Sequence, residues 1–291
     1  MKVAFVYDRV NKIGGAERVL KTLHEIWPNA PLYTAVYNAK TARWARPFKV
    51  IPSFLQHLPF IAKHHEWFAW AMPAAFESFD FSTFDVVISI TSAEAKSIIT
   101  KPETVHICYL LTPTRYLWSH THFYLTGRYA TNKNFITRKL TPLIFSLMRQ
   151  WDQIAAQRPD KIISISQTVS DRCHKYYRRQ PDTLIYPPVP RISEASDKSV
   201  VLPEEYYLLV SRLVPYKRID LAIEAFNHLG KILIIIGDGA QKQYLKGLCN
   251  ENVKILGKLT QKKLARYYQG CRALIFPSEE DFGIVCVEAQ T

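Results

Sequence analysis

The chain of 291 residues has five cysteines (Cys108, Cys173, Cys249, Cys271 and Cys286), and no two stand at Cys-x-x-Cys spacing. That spacing argues against a structural zinc site or a disulfide framework, and reduced, mostly buried thiols are expected. Long hydrophobic runs are missing. No window reaches the roughly 18 apolar residues that a membrane-spanning helix needs, and the best candidate, Trp67 to Phe76, contains Pro73. No leader peptide is expected, since Met1-Lys2-Val3-Ala4-Phe5-Val6-Tyr7 meets Asp8 and Arg9 before a long apolar stretch forms. The expected location is therefore the cytoplasm. There is no internal repeat, and 10 Gly and 17 Pro are too scattered for a low-complexity chain. No Asp-x-Asp pair and no metal-spaced histidines occur. His64-His65 are adjacent and cannot both face one ion from a helix, and His106 reads as a satisfied core or cleft residue. No metal is expected.

What is present is an ordinary globular composition, 48% hydrophobic and 22% charged, of a length that suggests two domains. The net charge is +13, and it is uneven. Residues 1–190 hold 24 basic against 13 acidic side chains, and Arg115 to Arg179 alone holds 12 against 3. A basic first half suits an anionic partner such as a lipid surface, phosphates or nucleic acid, although a solvated basic face has the same composition.

Short apolar runs alternate with helical periodicity along the whole chain. The pattern predicts strands at Lys2–Tyr7, Ala30–Tyr37, Phe84–Thr91, Val105–Leu111, Lys161–Ser166 and Thr183–Tyr186. Helices are predicted at Ala16–Trp27, Ile136–Ala156 and Gln167–Tyr177. Pro188 to Pro203 reads as a linker, rich in proline, serine and charge. Beyond it the alternation restarts: strands at Tyr206–Val210, Lys231–Ile236, Val253–Leu256 and Ala273–Phe276, helices at Ile219–His228, Ala240–Leu248 and Gln261–Tyr268, and another from Ile284. The expected fold is α/β, two doubly wound Rossmann-like domains facing across a cleft. The expected boundaries are 1–190, a linker at 191–203, and 204–291. The chain stops inside a predicted helix, so the second domain is expected to be incomplete.

Three loops could do chemistry. Gly14-Gly15 stands after the first strand, where glycines let backbone N–H groups approach an anion. It matches neither a dinucleotide fingerprint nor a phosphate-binding Walker loop, and an ordinary turn explains it equally well. Ser211 to Arg218 follows a strand and precedes a helix. Arg212 can fork onto a phosphate and Lys217 adds a movable charge. Each such bond could contribute about 1.5–3 kcal/mol. Ser278 to Glu288 holds Glu280 and Glu288 about two helical turns apart, placed to accept hydroxyl protons from a polyol. Gly237-Asp238-Gly239 lacks the third glycine of a dinucleotide fingerprint, because Lys242 stands there.

Taken together, these segments resemble the retaining GT-B glycosyltransferases of family 4. Ser-Arg-Leu-Val-Pro-Tyr-Lys-Arg around Arg212 and Lys217 resembles that family's phosphate-binding loop. Glu280 to Glu288 looks like its Glu-x7-Glu motif, and Gly14-Gly15-Ala16-Glu17 its N-terminal Gly-Gly-Ala-Glu. Tyr109 to Trp118 is similar to the Thr-Pro-x-Arg-Tyr-x-Trp block of a mannosyltransferase-like branch, and Ile185 to Val189 to the end of the family's first domain. The resemblance implies that Arg212 and Lys217 hold the donor diphosphate, that Glu280 binds the transferred sugar, and that Glu288 binds the ribose. Gly14 and Gly15 would approach the donor phosphates. Arg212, Lys217 and Glu280 are the implied catalytic residues, and Phe282 and Gly283 complete the donor side. Thr112, Arg115 and Trp118 are the acceptor-side candidates.

Two departures from the family are visible. Leu111 stands where related sequences often carry His, and the family's second domain continues beyond its second Glu.

The reading implied is transfer of a hexose, with mannose from GDP-mannose favoured and a UDP-sugar as the alternative. The acceptor would be a saccharide or a lipid-diphosphate-linked saccharide, and configuration would be retained. Polysaccharide or glycolipid assembly is the expected setting. An anionic membrane surface at the inner face is an expected partner, with Trp118 and Tyr176-Tyr177 facing lipid. The competing readings are a truncated, non-catalytic sugar-nucleotide or membrane-surface module and, motivated by charge alone, a nucleic-acid binder. No nucleic-acid motif accompanies that charge, so nucleic acid is not an expected partner.

Overall fold

The central strands are buried on both faces, and that dictates how they pair. Segments such as Val3–Tyr7 and Leu233–Ile236 are buried at every position. Such strands need helices on both sides, which parallel crossovers supply. In the computed structural model every strand pairing is parallel. The structure describes residues 1–12, 14–59, 61, 65–122, 135–189, 197 and 199–291, with the backbone alone for 65–67 and 135–140. The chain divides into two compact units, Met1–Pro188 and Val189–Thr291. Residues 190–196 and 198 of the expected linker lie outside the described residues, as does His64.

The first unit holds a seven-stranded sheet: β1 (Val3–Tyr7), β2 (Leu32–Thr34), β3 (Val50–Pro52), β4 (Val86–Thr91), β5 (Val105–Leu110), β6 (Lys161–Ser164) and β7 (Thr183–Leu184). Their order is β3-β2-β1-β4-β5-β6-β7. The order reverses between β1 and β4, the place where open α/β sheets bind ligands beyond their carboxyl ends. Helices α1 (Gly15–Ile26), α2 (Met72–Glu77), α3 (Phe135–Ala155) and α4 (Gln167–Tyr177) accompany the sheet. α4 starts where the Ser166 hydroxyl accepts from Val169 N, and it ends at Arg178 in the left-handed region. One face of the sheet is sealed by Ala4, Val6, Leu55, Met72, Phe76, Phe81 and Val87. Each large apolar side chain so buried contributes about 1.5–3 kcal/mol.

The second unit holds β8 (Tyr207–Val210), β9 (Leu233–Ile236), β10 (Val253–Gly257) and β11 (Ala273–Leu274), ordered β10-β9-β8-β11. Its helices are α5 (Ile219–Leu229), α6 (Lys242–Lys246), α7 (Gln261–Gly270) and α8 (Ile284–Glu288). Leu209, Ile223, Phe226 and Ile235 fill one side of this sheet and Tyr206, Leu208, Ile234 and Tyr268 the other. The order reverses between β8 and β11, so this unit too has a switch point. Leu202, within the expected linker, packs onto the Tyr206 cluster.

The element expected at Gln167–Tyr177 has those bounds in the structure. The strand predicted over Ala30–Tyr37 is limited to Leu32–Thr34, and β3 goes unforeseen. Of the thiols, Cys108 and Cys173 are buried and the other three half-buried.

Candidate functional site

The loops that leave β8 and β11 carry the residues expected to bind a donor. After β8, Leu213 is fully buried and anchors the loop. A 3-10 turn at Pro215–Lys217 follows and closes on Arg218, whose φ of 49° is left-handed. A side chain other than glycine in that region stores strain, which surrounding structure must hold. The strained residue directly follows Lys217, which is itself only 7% exposed. A lysine is almost never so buried without a partner. Its partner is Glu280 on the loop after β11, through an Nζ–Oε1 ion pair. The Lys217 ammonium also lies 5.1 Å from the centre of the Tyr216 ring. Arg212 is exposed, and its guanidinium reaches the Tyr216 hydroxyl. The structure thus sets Arg212 and Lys217 against Tyr216 and brings Glu280 onto Lys217.

Glu280 also accepts from the Ser278 hydroxyl at 3.4 Å. Phe282 is half-buried, and Gly283 begins α8 in the left-handed region, at φ 80°. Glu288 is the last residue of that helix and is 2% exposed. Its carboxylate accepts from the Tyr268 hydroxyl on α7 at 3.1 Å. Glu288 is therefore held inside the unit against α7, while Glu280 faces the β8 loop.

The Gly237-Asp238-Gly239 run has a steric explanation. A Cβ on Gly237 would sit 1.8 Å from the Ser211 carbonyl oxygen, and one on Gly239 would sit 2.4 Å from that of Leu213. Both carbonyls belong to the cationic loop. Leu213 N donates to Asp238 O at 3.0 Å and Gln241 N to Leu213 O at 3.0 Å. The glycines let the two loops dock backbone to backbone.

In the first unit, Gly14 is the N-cap of α1 and Gly15 its first residue. The adjoining anion is the chain's own: a Cβ on Gly14 would lie 3.2 Å from Glu17 Oε2. Glu17 is buried and accepts from the Tyr7 hydroxyl at 2.9 Å. Asp8, at the end of β1, accepts from Thr91 Oγ1 at 2.7 Å, Ser92 N at 2.7 Å and Ala95 N at 2.9 Å. It thereby ties the loop after β4 to the loop after β1.

The acceptor-side candidates follow β5. Thr112 is 3% exposed, and its hydroxyl has no hydrogen-bond partner among the described residues. Arg115 is half-buried. Trp118 donates its indole N–H to Asp152 Oδ2 at 2.8 Å and stacks on Tyr176, ring centres 5.3 Å apart. This loop is fastened by a network that sequence reasoning missed. Lys96, 1% exposed, pairs with Asp152 at 2.5 Å, and Asp152 also accepts from Thr114 Oγ1 at 2.9 Å. Thr114 N donates to the Tyr177 hydroxyl at 3.1 Å. Burial works against the Lys96 charge, but the adjacent Asp152 carboxylate outweighs it and holds the ammonium pKa above its ordinary value. Beside it, Glu94 accepts from Tyr116 at 2.6 Å and pairs with Arg9 at 2.7 Å. Burial raises the Glu94 pKa, and Arg9 opposes the rise. Tyr177 is fully buried and Trp118 is engaged with Asp152, so the lipid-facing role expected for them does not fit this arrangement. No sequence signal links Lys96 to Asp152, 56 residues apart.

Among the described residues no cluster of three or more His, Cys, Asp or Glu could hold a metal ion. No described helix is long and apolar enough to cross a membrane.

Comparison with known proteins adds to this geometry. Residues 192–291, nearly the whole second unit, match the family described as Glycosyl transferases group 1. A protein of Methanocaldococcus jannaschii described as an uncharacterized glycosyltransferase is 28% identical over 148 residues, 48% of this chain and 40% of the relative. The chain thus spans less than half the length of that curated relative. Among solved structures, Anabaena HepE in complex with UDP is similar at a TM-score of 0.65 and 18% identity, covering 99% of this chain and 78% of that one. A variant of TarM from S. aureus, in complex with Fondaparinux, alpha-GlcNAc-glycerol and UDP, is similar at 0.61 and 11% identity, covering 99% and 84%. At such identities the likeness establishes the fold: α/β with parallel sheets, that of GT-B glycosyltransferases.

Proposed function

We propose that this protein is a glycosyltransferase that moves a hexose from a nucleotide-sugar to a saccharide acceptor. The observation that carries the reading is the pair of buried Lys217 with half-buried Glu280 at the β8–β11 switch point, inside the stretch that matches Glycosyl transferases group 1. A switch point is where a parallel sheet presents its loops to a ligand. The pair sets a cation beside a carboxylate, which is what a sugar diphosphate requires: charge for the phosphates and an acceptor for sugar hydroxyls.

In this proposal Arg212 and Lys217 hold the diphosphate and stabilise the charge that grows on the leaving phosphate. Lys217 is fixed before the reaction by Glu280 and the strained Arg218 turn, so little reorganisation accompanies the step. Glu280 holds the transferred sugar. Phe282 and Gly283 shape the same loop, Glu288 takes ribose hydroxyls by exchanging its bond to Tyr268, and Gly14 and Gly15 approach the donor phosphates. The anomeric configuration is retained, with the leaving phosphate helping to take the acceptor's proton as the new glycosidic bond forms. No metal takes part.

The resemblance of Tyr109 to Trp118 to a mannosyltransferase-like block favours mannose from GDP-mannose. The UDP bound in HepE and in TarM makes a UDP-sugar the competing donor. The acceptor is a saccharide or a lipid-diphosphate-linked saccharide, contacted from Thr112, Arg115 and Trp118, in polysaccharide or glycolipid assembly. The protein works in the cytoplasm at an anionic membrane face, and the basic first unit supports that placement.

The test is titration calorimetry with GDP and UDP, followed by transfer assays over a panel of GDP- and UDP-sugars. Wild-type protein is expected to bind one diphosphate, and Lys217→Ala and Arg212→Ala to weaken it about tenfold or more each. Binding of neither nucleotide, or unaltered binding in both variants, overturns the reading.

A further inference from the structure

The loop that leaves β4 is a junction in the first unit. Asp8, just past β1, accepts from Thr91, Ser92 and Ala95, and Lys96 pairs with Asp152 of α3. Those contacts already tie β1, β4 and α3 together. Between them lies a second ion pair, which the proposed chemistry leaves without a role. Glu94 Oε2 accepts from Arg9 Nη2 at 2.7 Å, and Glu94 Oε1 accepts from the Tyr116 hydroxyl at 2.6 Å. Arg9 stands two residues beyond β1, Glu94 three beyond β4, and Tyr116 follows β5. The pair therefore sits at the carboxyl ends of β1 and β4, the neighbours between which the strand order reverses.

Its burial is lopsided. The Glu94 side chain is 1% exposed and the Arg9 side chain 19%. The carboxylate is sealed in, while the guanidinium reaches the surface. A buried ion pair often gives no net stability over an apolar pair of similar volume. What this one does give is a cation fixed in one orientation: Tyr116 holds the carboxylate, and the carboxylate holds one nitrogen of a rigid planar fork. Thr112 adds to the same edge of the sheet. It follows Leu111, whose N–H donates to Thr91 O at 2.8 Å, and its buried hydroxyl has no hydrogen-bond partner among the described residues. A buried hydroxyl left unpaired costs free energy that a bound polar molecule would return.

Charge selects the ligand. Residues 91–96 and the side chains bonded to them hold Arg9 and Lys96 against Asp8, Glu94 and Asp152. Two cations among three carboxylates make no trap for a phosphate or another anion. They suit an uncharged sugar ring, whose hydroxyls accept from a guanidinium and exchange bonds with a threonine hydroxyl.

We infer that Arg9 is an acceptor-binding residue, donating to ring hydroxyls of an uncharged saccharide at the edge that also carries Thr112, and that Glu94 is the positioning residue that holds Arg9 in place. The inference rests on the saccharide-acceptor part of the proposed function and names the acceptor end as uncharged.

The test is saturation-transfer NMR on the full chain with the methyl α-glycosides of mannose, glucose, galactose and N-acetylglucosamine, beside calorimetry with GDP and UDP. Wild type is expected to bind at least one glycoside. Arg9→Lys keeps the charge and the Glu94 pairing but loses the fork, and should weaken that binding about fivefold or more. Arg9→Met/Glu94→Leu replaces the buried pair by apolar groups, which keeps the fold, and should abolish glycoside binding. Glu94→Gln still accepts from Arg9 and should retain binding that the double variant loses, a rescue that a purely structural pair would not show. Nucleotide binding should be unaltered in all three. Wild-type-like glycoside binding in the folded Arg9→Lys and double variants overturns the inference. So does wild type that binds GDP or UDP but no glycoside, which leaves the donor reading standing. Parallel loss of glycoside and nucleotide binding in the variants also overturns it, assigning the pair to the fold or the donor. Wild type that binds neither kind of ligand overturns both readings.

Discussion

Lowering the pH from 7 to 5 should cost the first unit about 2 kcal/mol through one side chain, His106. The residue lies fully buried on β5, with Nε2 at 2.8 Å from the Ser89 hydroxyl and no hydrogen-bond partner for Nδ1 among the described residues. Burial pushes its pKa down from 6.5 to about 3. Below pH 6.5 the unfolded chain therefore takes up a proton that the native state refuses. The contribution is fully present above about 6.5 and is lost as pH falls toward 3, at about 1.36 kcal/mol per unit. One and a half units of pH give the figure of about 2 kcal/mol at pH 5. The assay is urea unfolding followed by tryptophan fluorescence. All six tryptophans lie at or before Trp151, so the signal reports the first unit alone. His106→Gln keeps a polar side chain beside Ser89 and removes the titration. Its stability should fall less on acidification than the wild type's, by about 2 kcal/mol between pH 7 and 5. Parallel losses in the two proteins would refute the reasoning, whatever the absolute stability of the variant.

Lys96→Met strands the buried Asp152 carboxylate and should destabilise the first unit by about 3–5 kcal/mol in the same assay. Because the Lys96 pKa is raised in the folded state, the pair's contribution should persist up to about pH 10.4 and decline only at more alkaline pH. Gly239→Ala should cost about 3 kcal/mol or more, read from circular dichroism melting of the second unit's helices, since its Cβ would overlap the Leu213 carbonyl. A thiol reagent at neutral pH should label three of the five cysteines in native protein. Burial raises the pKa of Cys108 to about 11 and of Cys173 to about 12, and both should react only on unfolding. Glu280→Gln should lose transfer while retaining nucleotide diphosphate binding, measured by turnover and calorimetry side by side; loss of both together would place Glu280 with the phosphates.

The alternation of strands and helices was legible because buried parallel strands leave unbroken apolar runs, as at Val3–Tyr7 and Leu233–Ile236. The Ser166 cap and the tyrosine-rich end of α4 bounded that helix cleanly. β3 was not legible: it is three residues long, ends in Pro52 and is an edge strand, where proline is tolerated and periodicity has no length to show itself. β3 is also flanked by short 3-10 turns, at Arg43–Ala45 and Phe54–His57, which carry no 3.6-residue pattern. At the candidate site, Arg212, Lys217 and Glu280 were named from loop position and resemblance. The meeting of Lys217 with Glu280 depends on β8 and β11 being sheet neighbours although 62 residues separate Arg212 from Leu274. The Lys96–Asp152–Thr114 network is likewise tertiary. A lone lysine in a loop and an aspartate in a helix announce nothing until the fold buries both.

The contact between Gly237-Asp238-Gly239 and the Ser211–Leu213 backbone bears on how this protein could be engineered. The two loops share their backbone surfaces, so they behave as one mechanical part. A library that randomises 237–239 in search of a new donor preference would displace the neighbouring strand of chain and carry Lys217 with it. Diversity is better spent at Tyr216, Ser278 and Phe282, whose side chains can change while that joint stays closed.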